Sequence, residues 1–220
     1  MNSSPKSAQQ STEPDLSGIT MSHRAMINDV GRLAELLAAV AGGAHTCPHP
    51  KDVTRYIHLL CESIHHHHTV ENEVLWPIVT ASAGSFVDLS ELTDDHAALD
   101  PRLDRITSLA TAFGKAPGPT TAAPLATALA GLHQLVCEHI ADEERELFGV
   151  IRRHVSVTDW AIVEKAAQRA GRMSFDGPRI VGAATEAEYA QMAAEANPLL
   201  IGFIKLMSRR HKRFDRRVFG

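Results

Sequence analysis

Two pairs of residues at a spacing of four carry the chemistry of this 220-residue chain: His67 with Glu71, and His139 with Glu143. Four residues of helix turn through about 400° and rise roughly 6 Å, so each imidazole lies over its carboxylate on one face. Imidazole and carboxylate without thiolate suit iron, zinc or manganese, and the residue types do not choose among them. A single His–Glu pair at this spacing is ordinarily a surface hydrogen bond. A lone histidine on an apolar face is ordinarily a satisfied core residue. Here two more histidines, His23 and His96, sit on apolar faces, so the ordinary reading must hold six times in a repeated pattern. Burying two carboxylates without a cation costs several kcal/mol each. Two bound cations remove that cost, as in the metal centres of helix-bundle cores.

Four helices must position these groups. His23, Met26, Val30, Leu33, Leu37 and Val40 form one stripe at alternating spacings of three and four, stopped by Gly42 and Gly43. A second runs through Val53, Ile57, Leu60, Ile64, His67, Glu71, Val74 and Ile78, with Pro77 expected to kink or end it. A third holds His96, Leu99, Leu103, Ile106, Ala110 and Phe113, with an irregularity expected at Pro101; a fourth holds Leu125, Leu129, Leu132, Val136, His139, Glu143, Leu147 and Val150. The set is two copies of one helical hairpin: a shift of 73 places His23 on His96, and a shift of 72 places His67 and Glu71 on His139 and Glu143. Two such hairpins predict an all-α, antiparallel four-helix bundle.

The remaining histidines are set apart by geometry. Four consecutive helical residues fan around about 300°, so His65, His66 and His68 cannot all join His67 at the core; they are read as a solvated or outer face, the alternative being that one of them is a metal ligand or proton relay. Glu73 and Glu144 flank the candidate ligands and are read as facing water, and His45, Cys47 and His49 as part of a flexible loop. His133, six residues before His139, points elsewhere.

Outside the bundle, residues 1–18 are Ser-, Gln- and Pro-rich and predict a disordered tail, with the bundle spanning 19–155 and a helical extension spanning 156–220. In that extension Asp159-Trp160 opens a fifth helix to about Gly171, and residues 172–184 read as a loop around Gly177-Pro178. Thr185 and Glu188 form a capping box, and Asn197-Pro198 restarts a helix whose apolar face is Leu199, Leu200, Phe203, Ile204 and Met207. The last 16 residues hold seven basic side chains against Asp215, a local +6 that leaves about −10 elsewhere in a chain of net −4. That balance argues against a generic nucleic-acid binder, and the basic end reads as a helix lying on the acidic bundle. Three cysteines without metal-ribbon spacing read as reduced thiols of a cytoplasmic protein, and no apolar run approaches a membrane span.

The strings MSHR (21–24), HHHHTVENEVLWP (65–77), DDHAALD (94–100) and EHIADEERELF (138–148) resemble the hemerythrin-like, or HHE, cation-binding family over about residues 20–155. The resemblance implies a non-haem di-iron site, two irons with an oxo or hydroxo bridge, held by His23, His67, Glu71, His96, His139 and Glu143, with the two glutamates bridging. It also implies a small ligand: dioxygen, peroxide or nitric oxide. The alternatives are an iron- or oxygen-sensing module signalling through the C-terminal extension, and a reversible oxygen carrier; whether the chain is an oxidoreductase stays open. Carriers of this family have a fifth histidine one turn after the third-helix histidine, where this chain has Asp100. One iron is then expected to lack a nitrogen ligand, with water, Asp95 or Asp100 in its place, which counts against reversible carriage.

Overall fold

The computed structural model describes residues 13–195 and 198–220. Four long helical stretches form the bundle: α1 (Ser17–Ala41), α2 (Pro50–Val70), α4 (Ser90–Lys115) and α5 (Pro119–His154). Between α2 and α4 lie a π turn (Glu71–Leu75) and the short α3 (Trp76–Ala83). The extension adds α6 (Val157–Ala170), α7 (Asp176–Gly182), α8 (Glu186–Glu195) and α9 (Pro198–Phe219). Helix α1 packs along α5, α2 along α4, and α4 along α5, so the first and last helices of the bundle are neighbours. The all-α bundle with a helical extension is as the apolar periodicity predicts, and among the described residues there is no strand.

The apolar stripes bury as two clusters. One packs Val30, Leu33, Leu37, Ile57, Leu60, Ile106, Phe113 and Leu129 at the end of the bundle that holds the α1–α2 and α4–α5 loops. The other packs Leu75, Trp76, Val79, Leu92, Leu147, Ile151 and Trp160 at the opposite end. Each fully buried side chain of this size contributes about 1.5–3 kcal/mol. Along every helix the candidate ligands fall where one cluster gives way to the other: His23 between Leu16 and Met26, His96 between Leu92 and Leu99, His139 and Glu143 between Val136 and Leu147.

Several local expectations are corrected. The ordered chain begins before residue 19: Pro14 and Leu16 are buried, α1 starts at Ser17, and Trp160 Nε1 of α6 donates to the Asp15 carbonyl at 2.9 Å. The rest of the expected tail, residues 1–12, lies outside the described residues. At Pro77 the helix does not stop; it is widened one turn earlier. The Trp76 amide reaches back five residues to the Glu71 carbonyl, the bond of a π turn, and Pro77 falls in the first turn of α3, where its missing amide leaves no gap. Helix α4 runs unbroken through Pro101, because the carbonyl that loses its partner belongs to exposed Ala97, where water serves. Residues 172–184 are not all loop: Pro178 sits in the first turn of α7, a favourable position for proline.

The expected capping box forms, Thr185 N–H donating to Glu188 Oε2 at 2.7 Å and Glu188 N–H to Thr185 Oγ1 at 3.3 Å. Asn197, and the side chains of Leu199, Leu200, Phe203 and Ile204, lie outside the described residues. The end of α9 does lie on the bundle. Phe214 and Phe219 pack on buried Tyr56 at ring distances of 5.5 and 5.4 Å, Arg217 pairs with Asp52, and Asp215 takes both guanidinium nitrogens of Arg32.

Candidate metal centre

All six residues expected as ligands converge between the two apolar clusters, and a seventh, His68, joins them. They form two groups that share Glu71. His23, His67, Glu71 and Glu143 make one; His68, Glu71, His96 and His139 make the other, and the donor atoms of each lie within 4.8 Å of one another. Helices α1 and α5 bring His23 against Glu143, with Nε2 to Oε2 at 3.4 Å. Helix α2 places His67 Nε2 2.8 Å from Glu71 Oε1, and α4 places His96 Nε2 3.5 Å from Glu71 Oε2. The two oxygens of Glu71 therefore address different groups.

His68 is the correction that matters most. It is 6% exposed, its ring centroid 4.4 Å from that of His96 and 5.3 Å from that of His139. The centre-facing direction of α2 falls between positions 67 and 68, so the two rings diverge to either side of Glu71. Asp100, considered for the vacant nitrogen position, is instead an exposed partner of His65, Nδ1 to Oδ1 at 2.8 Å. The fifth candidate nitrogen donor lies on α2, not on α4.

The outer ring nitrogens define the proton positions. Carboxylates only accept, so His23 Nδ1 donates to Glu144 Oε1 at 2.8 Å and His139 Nδ1 to Asp95 Oδ2 at 3.3 Å. Asn72, inside the π turn, accepts from His96 Nδ1 at 2.9 Å. Glu144 and Asp95 are thus not merely solvated or vacant-site residues; each orients a candidate ligand, a role recognisable only once the helices are paired. Glu73 is exposed, as expected.

Burial and charge set the electrostatics. Burial raises the Glu143 carboxyl well above its usual range, and the neighbouring Glu71 raises it further. Burial acts the same way on Glu71, but His67, His23 and His68 outweigh it and hold that carboxyl well below its usual range. His23 is opposed by burial, yet Glu143, Glu144 and Glu71 drive its imidazole up to about 10. Burial holds His68 and His139 down, and His96 down to about 4. His96 and His139 are therefore neutral, each with its proton on Nδ1, and their bare Nε2 atoms face each other at 3.0 Å. Two lone pairs at that distance repel unless a cation lies between them. Ligands about 2.1 Å from one ion stand roughly 3 Å apart at adjacent octahedral positions, which matches. Both oxygens of Glu71 and Oε1 of Glu143 are buried without a hydrogen-bond donor. The residues present fit a pair of cations.

Residues 16–151 match the hemerythrin HHE cation-binding domain, well over half of the chain. The chain belongs to the hemerythrin HHE family. Comparison with curated proteins and with solved structures finds no match. The hemerythrin domain so matched begins at buried Leu16, one residue before α1. It ends at Ile151, so α6 to α9 lie beyond it. Among the described residues no helix is long and apolar enough to cross a membrane.

Proposed function

We propose that this hemerythrin domain is a non-haem di-iron protein that takes up dioxygen or a related small oxidant, peroxide or nitric oxide, in redox or oxygen homeostasis. The observation that carries the reading is the pair of bare, opposed imidazole nitrogens of His96 and His139 beside a buried Glu71 whose oxygens lack donors. In this reading His23, His67 and Glu143 would hold one iron and His68, His96 and His139 the other, with Glu71, common to both groups, available to each. Iron so held supplies redox and Lewis-acid chemistry at a small ligand.

The chain's own residues make the two halves unequal. One half has three imidazoles with Glu71, the other two imidazoles with two carboxylates. The second half offers fewer nitrogens and lies nearer water: the His67 side chain is 16% exposed, while those of His23, His96 and His139 are 0–2% exposed. Small ligands and protons therefore reach the centre from the His67 side. Access to water favours consumption of an oxidant over storage, since a carrier needs a pocket that excludes water. The count of nitrogens no longer argues against carriage, because His68 restores the fifth; exposure at His67 is what separates the readings.

Anaerobic loading with ferrous iron tests the proposal. Two irons per chain, rapid oxidation in air and consumption of added peroxide or nitric oxide are expected. A single tightly held zinc with no iron uptake overturns the di-iron reading. A long-lived oxygen adduct released under vacuum, with no reaction with peroxide, replaces it with a carrier. A sensor reading draws on one contact: Arg24, next to His23, donates to the Ala183 carbonyl at 2.7 Å and pairs with Glu188, joining the centre's first helix to α7 and α8.

A further inference from the structure

Away from the metal centre, α1, α7, α8 and α9 enclose a cavity of about 560 Å³, within the range of small-molecule sites. Arg24 braces one side through Ala183 and Glu188, and Arg32 the other through Asp215. Its walls divide into an apolar part, Ala25, Pro178, Val181 and Ala183, and a polar part supplied largely by α9.

The charges on those walls are unbalanced. Both acids are already engaged: Asp29 by Arg179, whose side chain is 3% exposed, and Asp215 by Arg32. Arg209 and Lys212 line the cavity with no ion pair to any described residue. Asn28, Tyr189 and Ser208 add groups that can donate a hydrogen bond. Arg179, on the same wall, offers the cavity no free charge. Its Nε and Nη1 are bonded to Asp29, Asp176 and Ser63, and Nη2 is sealed from solvent within the protein. A cavity with two free cations, an excess of donors and one apolar wall selects an anion with an apolar body.

We infer that this cavity binds a small organic anion, a carboxylate or phosphate carried on an apolar group, with Arg209 and Lys212 holding the charge. The site does not depend on iron, and it accounts for part of the basic C-terminal segment that the metal chemistry leaves unused.

Calorimetric titration of the full, metal-loaded chain with phenyl phosphate, phenylacetate, inorganic phosphate and benzyl alcohol tests the site and distinguishes its sources. Saturable one-to-one binding of phenyl phosphate or phenylacetate is expected, tighter than inorganic phosphate and with no binding of the neutral alcohol. Whichever aryl anion binds more tightly identifies the headgroup. The double variant Arg209→Gln/Lys212→Gln should weaken that binding by roughly a hundredfold, tenfold for each charge-assisted contact. Ala183→Leu, which fills the apolar wall and removes no charge, should abolish it, with two metals per chain retained in both variants. No binding of either aryl anion across a millimolar range, equal binding of benzyl alcohol, or unchanged affinity in the double variant overturns the proposal.

Discussion

His23 and Glu144 are joined by a 2.8 Å hydrogen bond from Nδ1 to Oε1, so the residue next to a candidate ligand on α5 fixes the proton of a ligand on α1. The side chain of Glu144 is 33% exposed and lies at the edge of the centre, where its effect is exerted through the imidazole. Replacing Glu144 with Ala should lower metal affinity about 10–100-fold with little loss of fold, the usual effect of removing such a partner. Competition titration against a chromophoric chelator measures it, and Glu144→Gln, which keeps an acceptor, should recover part of the loss.

The place of His68 gives a sharper contrast. His68→Leu should remove one nitrogen from the three-imidazole half and reduce the metal content of purified protein from two toward one. Asp100→His should change neither stoichiometry nor reactivity, because that side chain is 60% exposed and pairs with His65. Metal analysis of the two variants side by side decides between α2 and α4 as the source of the fifth nitrogen.

Proton release follows from the buried charges. Without a cation, His23 is held up to about 10, so it carries a second proton near neutrality. Ligation requires that it lose that proton, and metal affinity should therefore rise with pH. Titration in buffers of different ionisation enthalpy should report proton release on loading at pH 7. In the metal-free fold the sign runs the other way. A raised imidazole stabilises fully below its unfolded value of 6.5, and that contribution fades as pH climbs toward about 10. Metal-free protein should thus lose stability through the alkaline range while the loaded protein does not.

The buried ion pair of Arg179 with Asp29 ties α7 to α1. Asp29→Ala leaves the buried guanidinium with Asp176 as its one carboxylate and should cost about 3 kcal/mol, the lower end for breaking a buried pair. The double variant Asp29→Leu/Arg179→Met should cost less, since the buried cation goes with its partner and the Asp176 left behind reaches solvent. Guanidinium denaturation at saturating metal measures both.

The bundle was legible because its stripes repeat at three and four, and six of the ligands sit on those stripes. His68 was not, for a specific reason. Cys61, Ile64, His68, Glu71 and Leu75 make a second series at spacings of three and four, all buried, offset by one from the series through His67. Both series share Ile64 and Glu71, and only the docking of α4 and α5 shows that α2 uses both. Asp95, Asn72 and Glu144 were hidden because their partners lie on other helices. Helix α7 was hidden because its decisive residue is a buried arginine, whose burial makes sense only beside Asp29. The π turn left one trace, a proline six residues after Glu71, which signals an altered helix but not which alteration.

The pairing of α1 with α5 also bears on the order in which the centre is made. His23 and Glu144 are 121 residues apart in the chain. At ribosomal rates of about 5–20 residues per second, His23 emerges roughly 6–24 s before Glu144. Through that interval the first helix lacks its principal packing partner, α5. The half-centre that draws on α1 is therefore the last to close during synthesis, and chaperone occupancy or metal capture on the nascent chain should change abruptly once the second half of α5 clears the exit tunnel.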